Sequence, residues 1–223
     1  MSNEAKAWSW MIGASVVMAL VMFACAGTIE WWQGWAFIAV VEAGSVPVTL
    51  FMIKDPALLE SRTNIGPAAE QRPVQRVIVV GLLLVSVAAF IVPSLDRRFG
   101  WSHAPVWVAV AGDALVAVSL WLSFRVFLAN SFGAATVQVV EGQTVISTGP
   151  YAVVRNPMYS GAVLFFVGMA LALGSWWALI PAALTIPAFS WRLLDEEAFL
   201  ADSLPGYRDY QAKVRWRLIP GVF

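Results

Sequence analysis

The chain has 223 residues, 60% of them apolar and only 13% charged, and its 14 basic and 14 acidic side chains cancel. That balance excludes an ordinary soluble globule and gives no electrostatic case for nucleic acid as a partner. One cysteine, Cys25, and one histidine, His103, exclude a disulfide framework within the chain and a cysteine- or histidine-based metal centre.

Residues 8–27 are uncharged and long enough to span, since a bilayer core needs about 20 apolar residues. Their length and the spans that follow favour a retained helix over a cleaved signal. A second span covers 34–53. Residues 54–72 carry Pro, Gly and Arg and read as an aqueous loop. A third span covers 74–92, a short loop 93–104, and a fourth span 105–124. The longest polar segment, 125–155, contains two β-prone runs, 136–140 and 144–147, around Glu141-Gly142, a candidate hairpin. Residues 158–173 and 176–191 are apolar but short, the first about 24 Å long at 1.5 Å per residue. They predict a tight helical hairpin, either crossing a thinned region or re-entrant. Pro181 and Pro187 should kink its second arm. The helix continues over 192–200, and a basic tail with Lys213, Arg215 and Arg217 suits a headgroup-facing surface.

The fold class is therefore all-α: a polytopic membrane helix bundle of about six segments. Residues 1–128 form an N-terminal membrane part, and 129–223 a C-terminal functional part. Most of the twelve tryptophans cluster near segment ends, as an interfacial belt does. With the N-terminus inside and six crossings, only Arg97 and Arg98 of the 14 basic residues fall outside. That asymmetry predicts cytoplasmic termini and a cytoplasmic polar face, in a bacterial inner membrane or its equivalent. Glu42 and Asp113 lie inside spans, where they should be neutral or paired, and as a hydrogen-bonded pair they would glue helices together.

The stretch Gly149-Pro150-Tyr151 followed by Arg155-Asn156-Pro157-Met158-Tyr159-Ser160-Gly161 joins a polar segment to a helix start. Some 35 residues on, Arg192 and Glu196 stand one helical turn apart. By local physics alone they read as an exposed ion pair worth about 0.3–0.5 kcal/mol. Taken in order with Glu196-Glu197, Gly206-Tyr207-Arg208-Asp209-Tyr210 and Leu218-Ile219-Pro220, these motifs change that reading. The chain resembles the isoprenylcysteine carboxyl methyltransferase and phospholipid methyltransferase superfamily over roughly residues 131–220.

The resemblance implies a membrane methyltransferase that uses S-adenosylmethionine on a lipophilic substrate, a carboxylate if the isoprenylcysteine enzymes are followed. It implies a cytoplasmic cofactor pocket at Gln138, Gln143, Thr144, Val145, Ile146, Tyr151, Asn156, Pro157, Met158, Tyr159 and Glu196. It assigns the substrate-side catalytic arginine to Arg192, needs no metal, and names membrane lipids and a lipophilic small molecule as partners. Asn156 replaces the family's usual histidine. It still donates and accepts hydrogen bonds but carries no charge. Two alternatives stay open: an NADPH-dependent membrane reductase of the sterol-reductase type, and a non-catalytic membrane protein retaining the fold.

Overall fold

A computed structural model describes residues 3–54, 59, 66–70, 72–130 and 142–223. Seven α-helices and one 3-10 turn account for the regular structure of these residues, and no strand occurs among them. The helices are α1 (Asn3–Ala26), α2 (Trp32–Ile53), α3 (Pro73–Phe99), α4 (Val106–Ala129), α5 (Pro157–Ala172), α6 (Leu179–Ser203) and α7 (Tyr207–Lys213). Helices α1 to α4 are each long and apolar enough to cross a membrane. Their outward side chains are large and apolar, Leu20, Leu84 and Trp107 among them, as a lipid-facing surface requires. The protein is a multi-pass membrane helix bundle.

Two helices outrun the spans read from sequence. Pro73 starts α3 behind an extended Arg72, a position where its missing N–H costs nothing. The helix then runs through Pro93 to Phe99, so the expected loop 93–104 begins only at Gly100. Arg97 and Arg98 occupy its last turn, where cations oppose the helix dipole, and Gly100 stops it at φ 66°. Helix α4 passes Arg125, whose guanidinium lies 5.5 Å from the Trp121 ring centroid, and ends at Ala129. The second arm of the hairpin starts at Leu179 rather than Trp176, which places Pro181 in the first turn, where no helical bond is lost. Pro187 is the interior proline. Residues 144–147 are coil, not strand, and the run 136–140 lies outside the described residues.

Packing makes α4 and α5 the tightest pair. A Cβ on Gly112 would fall 2.1 Å from the Ala172 backbone nitrogen, and one on Gly168 would fall 3.0 Å from that of Val116. Backbones approach this closely only where side chains are absent, the usual basis of helix association in lipid. Around this pair one core of Met22, Trp31, Phe37, Ala89, Val116, Met169 and Ala182 ties α1 through α6 together. Helix α6 packs on α3 and α5, and α2 on α4.

The two ends of the bundle are polar in different ways. At the far end the Asp96 carboxylate accepts the Ser102 N–H and Oγ–H, each at 2.6 Å, and the hydroxyl of Ser175. It thereby pins the α5–α6 turn, where Gly174 has φ 72°, to the α3–α4 loop. The other end gathers the C-termini of α2, α4 and α6 with the N-termini of α1, α3 and α5. Within the bundle Glu42 and Asp113 do not pair with each other: Glu42 accepts the Ser15 hydroxyl, and Asp113 Oδ1 has no hydrogen-bond partner among the described residues.

Candidate functional site

The Gly149–Ala152 segment forms a single 3-10 turn, which Gly149 enters at φ 59°. A turn at Val153 and a bend at Arg155 then carry Arg155 and Asn156 inward before Pro157 opens α5. Both residues are buried. Backbone N–H groups of Arg155 and Asn156 donate to the carbonyls of Trp216 and Arg217, at 2.8 and 3.0 Å, so the C-terminal tail is strapped across the helix entrance. Ser160 Oγ adds a bond to the Leu218 carbonyl at 2.6 Å.

Consecutive residues on a helix point about 100° apart, and α6 carries three acids in a row, Asp195, Glu196 and Glu197. Each meets a different element. Asp195 receives a two-pronged bond from Arg72 (2.6 and 2.9 Å) and one from Gln75 Nε2 (2.5 Å), which fixes α6 to α3. Glu197 turns to the strap: Arg155 donates Nε at 2.8 Å and Nη2 at 3.0 Å, Asn156 Nδ2 donates at 2.8 Å, and Arg217 Nε at 3.1 Å. Burial alone would raise the Glu197 carboxyl, but these donors hold it below the usual carboxylate range.

Glu196 points between them, to α5. Its Oε2 accepts the Tyr159 hydroxyl at 2.6 Å, and that hydroxyl accepts Arg192 Nε at 3.0 Å. Arg192 Nη2 reaches Glu70 Oε1 at 2.7 Å, with only 8% and 2% of the two side chains exposed. Phe189 backs the Tyr159 ring at a centroid distance of 5.4 Å. Burial pushes the Glu196 carboxyl above the usual range; the Tyr159 bond and the Arg192 charge oppose that shift without cancelling it. Ionised, the cluster sets one guanidinium against the two carboxylates of Glu70 and Glu196.

Tyr159, Arg192 and Glu196 are thus brought together, though not as the helical ion pair the spacing predicts: Arg192 pairs with Glu70 and reaches Glu196 only through the Tyr159 hydroxyl. Asn156 and Pro157 sit immediately behind, with the Asn156 amide on Glu197. Met158 is half-buried in the same turn. Tyr151 and Val145 pack on an apolar cap of Leu204, Tyr207, Tyr210 and Val214, and the Tyr151 hydroxyl accepts Asn130 Nδ2 at 3.0 Å. Gln143, Thr144 and Ile146 occupy the coil beside Val145, while Gln138 lies outside the described residues. Of the expected headgroup-facing cations, Arg217 is instead turned onto Glu197. Sequence reasoning missed Glu70 and the buried role of Glu197. The run of three acids just beyond an apolar segment was a signal for Glu197; nothing local marks Glu70.

Residues 107–205 match the family model described as phospholipid methyltransferase. This part of the chain is similar to the isoprenylcysteine and phospholipid methyltransferase superfamily. The match starts earlier than the sequence motifs alone imply, taking in all of α4 after its first residue, and stops at Pro205, before the strap. No curated protein matches the chain. The match suggests a membrane methyltransferase and gives Tyr159, Arg192 and Glu196, which lie on α5 and α6 inside the matched region, a chemical context.

Proposed function

We propose that the protein transfers a methyl group from S-adenosylmethionine to a lipophilic acceptor at the end of the bundle where α5 begins and α6 ends, on the cytoplasmic side. The observation that carries this reading is the cluster of Tyr159, Arg192, Glu196 and Glu70, in which two carboxylates meet one guanidinium among the described residues and Arg192 and Glu70 are buried. Such a donor set fits a ligand with net positive charge and hydroxyl and amino donors. S-adenosylmethionine supplies an electrophilic methyl on a cationic sulfur that leaves as a neutral thioether.

The residues then divide the work. Glu196 accepts hydrogen bonds from the cofactor's polar edge, and Tyr159, braced by Phe189, holds that carboxylate in one orientation. Residues 143–146, Tyr151 and the Asn156–Met158 entry wall the pocket on the tail side. Arg192 lies one turn before Glu196 and positions the acceptor at the lipid-facing edge. Transfer of this kind depends on alignment of nucleophile, methyl and sulfur more than on acid or metal. Asn156 in place of histidine is no obstacle, since its amide serves Glu197 and needs no proton shuttle. The reductase alternative loses support from the same geometry, because among the described residues Arg72 and Arg155 are both committed to carboxylates, whereas a 2′-phosphate calls for cations turned to the ligand.

Calorimetry on the detergent-solubilised protein tests the reading. S-adenosylmethionine should bind and NADPH should not. Binding of NADPH alone would replace the methyltransferase reading with the reductase one.

A further inference from the structure

The far end of the bundle, where Asp96 pins the α5–α6 turn, holds a groove remote from the Arg192 cluster. It opens between α1 and α2, has a volume of about 560 Å³, and is walled by Leu20, Phe23, Ala24, Gly27, Ile29 and Trp35. Leu20, Ile29 and Trp35 are exposed, so the groove faces lipid. Its walls are braced: the Trp35 indole N–H donates to the Ile29 carbonyl at 2.9 Å, and the Phe23 and Trp35 ring centroids lie 4.5 Å apart. In a bilayer an apolar groove of this kind holds an acyl chain, because it offers water no partners.

The last turn of α3 supplies charge at the mouth of the groove. Arg97 Nη2 donates to the Glu30 carbonyl at 3.0 Å. Arg98 lies against Gly27, where a Cβ would fall 3.5 Å from its Nε and 3.6 Å from its Cζ. Its guanidinium sits over the Phe99 ring, 5.7 Å from the centroid, and makes no hydrogen bond or ion pair among the described residues. Ring stacking engages the flat face of a guanidinium and leaves its N–H edge open. Two acids are near. Asp96 is occupied by Ser102 and Ser175, and the exposed Glu30 carboxylate forms no ion pair with either arginine.

We propose that this groove and Arg98 form a binding site for a phospholipid of net negative charge, its chain along α1 and α2 and its phosphate on the Arg98 guanidinium. The planar fork suits phosphate oxygens. A zwitterionic lipid carries the same phosphate but brings an ammonium toward Arg97 and Arg98, so net charge discriminates between the two. The bound lipid joins the α1–α2 turn to the end of α3, beside the Arg97–Glu30 bond.

Native mass spectrometry of the full chain in nonionic detergent tests the site, by titration with dioleoylphosphatidylglycerol and dioleoylphosphatidylcholine, which share their chains. The wild type should bind the first phosphatidylglycerol at least about tenfold more tightly, and Arg98→Gln should cut that preference to about threefold or less. Arg125→Gln, which removes a ring-stacked cation at the other end, should leave the preference unchanged. Ala24→Phe fills the groove from an exposed position and should weaken both lipids at least about fivefold at an unchanged thermal midpoint. Equal affinities in the wild type overturn the proposal, as does an unchanged preference in Arg98→Gln. So does an equal loss in Arg125→Gln, which would reveal attraction to overall charge alone, or full binding in Ala24→Phe. Should Arg98→Gln not fold, the wild-type preference and Ala24→Phe decide.

Discussion

Glu196 and Glu197 are neighbours on one helix, yet the regions they anchor are opposites. Around Glu197, Arg155, Arg217 and Asn156 surround one carboxylate, and backbone bonds from the strap complete the set. Around Glu196, one arginine serves two carboxylates, Glu70 directly and Glu196 through a tyrosine. A carboxylate whose acceptor sites are filled by cationic and amide donors holds elements together; a cluster with acid in excess remains receptive to a cation. On the proposed function, the difference separates the part of the motif that builds the site from the part that meets the cofactor.

Breaking the clamp should have the largest effect. Glu197→Gln leaves the Arg155 guanidinium buried without its counter-charge, and should destabilise the fold by about 3–5 kcal/mol, read as a lowered thermal midpoint in detergent. A midpoint within a degree of wild type would show that the strap does not depend on this carboxylate. Glu196→Gln sharpens the contrast from the other side. It should fold normally but lose about ten- to a hundredfold in S-adenosylmethionine affinity, the worth of one charge-assisted hydrogen bond of about 1.5–3 kcal/mol. Unchanged affinity would remove Glu196 from the pocket.

Arg192→Lys should leave cofactor affinity within a few-fold while slowing turnover by about tenfold, because a point cation cannot span Tyr159 and Glu70 as a planar fork does. Outright loss of cofactor binding would move Arg192 to the cofactor side of the site.

The smallest effects are in pH, and they run through different windows. Glu197 is held below its unfolded value of about 4.3, so its contribution to stability is complete above that pH and is lost as pH falls through the depressed value. Glu196 is raised by burial among Tyr159, Arg192, Glu70 and Glu197, and a cationic ligand requires it ionised. Cofactor affinity should therefore weaken with falling pH while the fold is still intact, beginning above the ordinary carboxylate range. Affinity that stays flat until unfolding begins would contradict the assignment.

How much of this was legible beforehand depends on the range of the interaction. The four long spans, the hairpin and the helix start at Pro157 follow from apolar run length and from proline and glycine placement, which act locally. Span ends were misplaced at Pro93 and Arg125 because a helix outlasts its apolar run where its charged last turn can reach solvent or an aromatic ring. Tyr159, Arg192 and Glu196 were found through an ordered set of motifs, although their spacing suggested a direct ion pair that the structure replaces with a relay through Tyr159.

The sequence by itself determined that this chain is a helical membrane protein whose polar residues gather where α5 begins and α6 ends, since hydropathy and periodicity are properties of neighbouring residues. Only the tertiary structure decided which of three adjacent acids faces the site. That choice depends on what α3, α5 and the strap present to each side of α6. It also decided that Glu70, 122 positions before Arg192, supplies that arginine's counter-charge, a pairing created by packing and without a periodic trace in the chain.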